Sequence, residues 1–114
     1  MLKSLNVKTC GYSGLMLPVL EDPLLARRAA EQRYGIRDLL LYSSVCGTGL
    51  DVVPIAGDTP SQMLAGLITD VAALSARLRK PLSVRLLLVP NKRVGERVSF
   101  DDPLLHDCVV MKID

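Results

Sequence analysis

Apolar positions along this chain change period several times, and each change marks an element. Met63, Leu64, Leu67, Ile68, Val71, Leu74 and Leu78 recur at three- and four-residue spacing on one arc, with Gln62, Gly66, Thr69 and Arg77 opposite. That spacing predicts an amphipathic helix over 60–79. Thr59-Pro60-Ser61-Gln62 reads as its capping box, with Pro at the first helical position, where its missing N–H costs nothing. Arg77, Arg79 and Lys80 suit the negative C-terminal end, and Pro81 blocks extension. Residues 82–89 are nearly continuous in Leu and Val, the pattern of a strand covered on both faces, with Arg85 as the exception. Residues 50–56 read as a second strand. Pro54 cannot donate to a ladder there, so it calls for an edge or bulge position.

Upstream, Asp22-Pro23 is a helix start, a capping acceptor followed by Pro. The helix is expected over 23–33, with Leu24, Ala30 and Tyr34 packing and Gly35 ending it. A second helix over 36–45 would bury Ile36, Leu39, Leu40 and Ser43 before Gly47 stops it. Residues 3–8 read as a short extended segment and 9–14 as a turn. Residues 15–20 are an apolar stretch interrupted by Pro18. After 89 come a polar loop over 90–95, a short strand over 97–100 and a closing strand over 108–113. Strand 50–56, helix 60–79 and strand 82–89 form a βαβ unit, whose strands should run parallel with a right-handed crossover. The class is therefore α/β. Parallel sheets occur almost only with both faces covered, and this chain has too few helices to cover one. Residues 1–114 read as one segment, a layer or partial barrel, from the C-terminal part of a larger α/β barrel domain.

Composition sharpens that reading. With 114 residues there is room for one domain at most, yet 49% of positions are hydrophobic and the mean hydropathy is +0.30. No apolar run approaches the ~20 residues a membrane span needs, and the N-terminus lacks a signal-peptide core. The excess apolar surface is expected to be covered by protein, through self-association or pairing with the missing part of the domain. A net charge of +2, with only four aromatic residues, argues against a nucleic-acid partner. Cys10, Cys46 and Cys108 are widely spaced and His106 is the lone histidine, which argues against a metal site. Free thiols without a secretory signal fit the cytoplasm.

Candidate chemistry gathers in the run from Val45 to Pro60, where a thiol, a Gly-rich turn and one carboxylate precede a helix. Cys46 would sit at the negative end of a helix, which raises a thiol pKa, so a nucleophilic role needs a cation elsewhere. The plainer reading is a small buried residue filling space. Asp51 is a general base, a ligand carboxylate, or the partner of Arg85 on the neighbouring strand. Asp22 is most simply the helix cap, which leaves Glu21 as the freer acid. Gly47 and Gly49 admit close approach of a ligand to the main chain. They do not make a dinucleotide loop, because the helix comes before and the strand after. Lys92, beside Arg93 and Gly95, is a candidate clamp for a carboxylate or phosphate, or else part of a solvated loop. The catalytic candidates are thus Cys46, Asp51 and Glu21, and the ligand-binding candidates are Arg85, Gly47, Gly49 and Lys92. These residues do not identify a cofactor.

Several motifs occur in order: Thr9-Cys10-Gly11-Tyr12-Ser13-Gly14-Leu15-Met16-Leu17-Pro18-Val19-Leu20-Glu21-Asp22, Cys46-Gly47-Thr48-Gly49-Leu50-Asp51, Pro54-Ile55-Ala56-Gly57-Asp58-Thr59 and Val89-Pro90-Asn91-Lys92-Arg93-Val94-Gly95. Together they resemble the C-terminal quarter of an uncharacterised prokaryotic family, domain of unknown function 711. Asn91 and Glu96 depart from it, since Gly and Asp often stand there. The resemblance implies an α/β barrel related to the pyruvate formate-lyase-like glycyl radical enzymes, in chains several times longer. Lys8-Thr9-Cys10-Gly11-Tyr12 ends like a glycyl radical motif but lacks its Arg-Val start. The expectation is a segment contributing to a small-molecule enzyme pocket around the Cys-bearing Gly-rich loop. The alternative is a non-catalytic interaction or oligomerisation module.

Overall fold

A strand without a single exposed residue, β2 (Gly49–Ala56), organises the molecule. The computed structural model describes residues 15–113, together with Asn6 and Lys8. The expected segment 3–8, those two residues apart, and the turn 9–14 lie outside the described residues. Element order is β1 (Leu17–Pro18), α1 (Pro23–Ala30), α2 (Ile36–Cys46), β2, α3 (Ser61–Leu78), β3 (Ser83–Val89), β4 (Arg97–Val98) and β5 (Cys108–Val109). The sheet runs β1-β2-β3, all parallel, while β4 and β5 form a separate antiparallel pair. The βαβ unit is therefore present. The described strands form no closed barrel.

Pro54 is tolerated in this central strand for two reasons. Its register against β3 shifts between Leu50 and Val53, so β2 carries one extra residue, and Val52 takes φ +40° there. The carbonyl of Pro54 accepts from the Met111 amide at 2.8 Å, so its ring nitrogen faces the same side, where β1 has already ended. The sequence allowed an edge or a bulge; the bulge is what forms. The closing strand shrinks to β5, plus a single parallel bridge from Met111 to Ile55.

Helix boundaries follow local chemistry. The Asp22 carboxylate accepts from the Leu24 and Leu25 amides at 2.8 and 2.9 Å, as its position before Pro23 suggested. The first helix stops at Ala30, short of the expected 33, because Gln32 turns to φ +55°. Gly35 does not end it; its amide instead donates to Asp38 Oδ2 at 2.8 Å at the start of α2. Leu24 is 60% exposed and the buried positions of α1 are Ala26 and Ala29. The expected capping box of α3 is absent. Thr59 Oγ1 donates backward to the Ala56 carbonyl at 2.6 Å, and the helix begins one residue later than expected, at Ser61. At the other end Arg79 closes α3 in the left-handed region, and the helix stops at Leu78. Lys80 reaches past it, donating from Nζ to the Ser43 carbonyl in the last turns of α2 at 2.6 Å.

The core centres on Leu39, Leu50, Val53 and Ile55, all fully buried, with Leu67 and Val71 of α3 against them. Met63 turns instead toward the groove between α2 and α3, lined also by Ile36, Leu40 and Ile113. Among the described residues the Leu- and Val-rich β3 lies at the sheet edge, and with Leu88 46% exposed the cover expected on both its faces is incomplete. No helix among the described residues is long and apolar enough to cross a membrane.

Candidate functional site

Asp51 and Arg85 are the lone charges of two neighbouring apolar strands, and the parallel register brings them level. Leu50 lies beside Val84, and after the bulge Val53 lies beside Leu86, leaving Asp51 and Val52 opposite Arg85. A bulge of this kind re-aims a side chain. Here the Asp51 carboxylate takes both ends of the Arg85 fork: Nε donates to Oδ1, and Nη2 to Oδ2 at 2.8 Å. The left-handed Val52 beside it is unusual for a β-branched residue. Strain of that sort, about 1–3 kcal/mol, persists only where the surroundings hold it.

The pair is asymmetric. Asp51 keeps 12% of its side-chain exposure and Arg85 keeps 62%. Only the carboxylate is buried, because β3 has no outer neighbour among the described residues. The hydrogen bond and charge of Asp51 raise the Arg85 pKa, and the nearby Glu21 charge adds to this. Val84 lines a cleft against α3, so Arg85, one residue on, projects from the opposite face of the sheet. The structure thus assembles Glu21, Asp51 and Arg85 on the face away from α3.

The remaining candidates sit elsewhere. Lys92 is exposed beyond the C-terminal end of β3, and Arg85 to Val89 alone spans roughly 13 Å of strand. Cys46 closes α2, three residues before β2, and its side chain lies outside the described residues. The close approach that Gly47 and Gly49 admit is by this chain's own backbone. A Cβ on Gly47 would stand 3.1 Å from the Leu15 carbonyl oxygen. On Gly49, at φ +135°, it would stand 1.8 Å from the Ser83 carbonyl oxygen. Among the described residues no group of three or more His, Cys, Asp or Glu side chains is placed to hold a metal ion. Cys108 is free and buried, its Sγ 3.5 Å from the Ala26 carbonyl oxygen, and burial raises its pKa. The Lys80 contact to α2 escaped the sequence reading, because 37 residues separate donor and acceptor.

The family described as Uncharacterised ACR (DUF711) matches residues 1–101 of the chain. A UPF0210 protein of Syntrophobacter fumaroxidans is 39% identical over 103 residues, covering 90% of this chain and 22% of the relative. One from Pyrobaculum aerophilum is 43% identical over 86 residues, 75% of this chain and 19% of the relative. One from Lacticaseibacillus casei is 39% identical over 90 residues, 79% and 20% respectively. The chain spans about a fifth of the length of the curated relatives it matches. No solved structure matches it.

Proposed function

The chain belongs to the DUF711 family, and from that premise we propose that it supplies one wall of a small-molecule pocket in a larger α/β domain. The observation that carries the reading is the Asp51–Arg85 fork, held on a bulged central strand with the guanidinium still open to solvent. Asp51 fixes the plane of the guanidinium, whose remaining N–H groups are donors for a carboxylate or phosphate oxygen of the ligand. Glu21 is the acid or base nearest that ligand. Cys46, three residues before β2 in the chain, is the thiol that this reading assigns to the same pocket. Residues 1–114 are then the C-terminal part of a barrel of the pyruvate formate-lyase-like type, working in the cytoplasm.

A rival reading, an interaction or oligomerisation module without chemistry, draws on Leu41, Tyr42 and Val45, which α2 leaves 63%, 55% and 78% exposed. Ligand binding separates the two. The full-length Syntrophobacter fumaroxidans relative should gain thermal stability from members of a panel of small carboxylates and phosphates. Replacing the residues matching Asp51 and Arg85 together, with Asn and Gln, should abolish that gain while the protein still folds. A double variant that retains the full shift sinks the pocket reading.

A further inference from the structure

Two carboxylates meet one guanidinium on the face away from α3, and their charges do not cancel. Both oxygens of Asp51 are taken by Arg85, Oδ1 by Nε and Oδ2 by Nη2. That side-on contact leaves the outer edge of the guanidinium open, Nη1 together with the second N–H of Nη2. Glu21 stands on the other side of Asp51. Pro18 of β1 is level with Asp51, and the chain then folds back, the Glu21 and Asp22 amides donating to the Pro18 carbonyl at 3.2 and 3.0 Å. This turn keeps Glu21 beside the row that Pro18, Asp51 and Arg85 form across the sheet. Asp22 is engaged as the cap of α1. The Glu21 side chain is exposed and makes no hydrogen bond or ion pair with any described residue. Its charge still acts on Arg85, after that of Asp51.

With Arg85 already balanced by Asp51, the unpaired Glu21 leaves this cluster with an excess negative charge. A phosphate would meet that excess, and like charges brought together cost affinity. A molecule carrying an anionic and a cationic group close together meets no such penalty. Its carboxylate matches the open edge of the guanidinium, planar and bidentate, and its ammonium group offers donors to the Glu21 carboxylate. β1 and β3 stand two strand spacings apart, about 10 Å, and side chains reaching inward from both leave the span of a molecule with few atoms between its charges. We propose that the ligand of this wall is a small zwitterion, a free amino acid, whose carboxylate binds the open edge of Arg85 and whose ammonium group binds Glu21. The proposal rests on the pocket reading and narrows it, since a plain carboxylate satisfies Arg85 alone and leaves Glu21 without a partner.

Isothermal titration calorimetry on the full-length Syntrophobacter fumaroxidans relative tests it. The probes are the common amino acids, their des-amino partners (propionate for alanine, succinate for aspartate) and inorganic phosphate. At least one amino acid should bind about tenfold or more tightly than its des-amino partner and than phosphate, the scale of one added charge pair. The substitution matching Glu21→Gln should level that pair, and Glu21→Lys should reverse it in favour of the des-amino acid. Glu21 is exposed and unbonded among the described residues, so both variants should melt as the parent does. Des-amino acids or phosphate binding as tightly as every amino acid would overturn the proposal and leave the pocket standing. A preference that survives Glu21→Gln would also overturn it, because the ammonium group would then be held elsewhere. If no probe binds at all, the proposal and the pocket reading fall together.

Discussion

Gly49→Ala should come close to unfolding this chain, and the reason is steric. At φ +135° Gly49 occupies backbone territory that L-residues rarely enter. The added methyl would stand 1.8 Å from the Ser83 carbonyl oxygen and 2.7 Å from its nitrogen, neither of which is a side chain that can swing away. Relief requires β2 and β3 to part at their first residues, where the Ser83 amide donates to Thr48. Backbone strain of about 1–3 kcal/mol, overpacking of about 1–3 kcal/mol and a lost hydrogen bond of about 1 kcal/mol together reach roughly 3–7 kcal/mol. That is a large part of the ~5–15 kcal/mol available to a domain of ordinary stability. Gly66→Ala is the internal control. It lies in α3 with nothing within 4 Å of the new methyl, and should stabilise by about 0.5–1 kcal/mol through helix propensity. Urea unfolding followed by circular dichroism, with the slope checked for constancy, measures both. If Gly49→Ala costs less than about 1 kcal/mol, the strand contact is not what requires glycine there, and ligand approach regains its claim.

Two further outcomes concern the alkaline side. Burial raises the Tyr34 phenol well above its ordinary 10.0 and the Cys108 thiol above its ordinary 9.0. Both groups are neutral when protonated. Their contribution is full below those ordinary values and is lost as pH rises through the raised ones, because the unfolded chain releases the protons first. Stability should therefore stay level to about pH 8 and fall above about pH 9–10. Tyr34→Phe should flatten the fall while losing the bond to the Leu25 carbonyl, and a limb unchanged by that substitution contradicts the assignment. Native Cys108 should react with a thiol reagent at least about tenfold more slowly than in urea, as expected for a buried thiol with a raised pKa; equal rates would contradict its burial.

What the sequence revealed depended on whether the signal was local. Helix α3 announced itself by period and the two long strands by their apolar runs, and the Asp51–Arg85 pair by being single charges in runs that parallel pairing sets side by side. β1 did not, since two residues including Pro18 carry no period. The early end of α1 rests on Gln32 adopting a left-handed conformation, for which glutamine gives no warning. Thr59 looked like a cap but its hydroxyl turned back to Ala56, a competition that Thr side chains commonly enter. The exposure of Arg85 was hidden for a different reason. It depends on what stands beyond β3, a property of neighbours rather than of the strand.

A crystal structure of the full-length Syntrophobacter fumaroxidans relative would decide between the pocket and a mere packing role. A parallel strand should lie beside the one matching β3, and the residues matching Asp51, Arg85 and Cys46 should face one enclosed polar cavity. If that strand edge faces solvent, or the paired side chains are sealed beneath packed apolar residues with no cavity before them, the account is wrong.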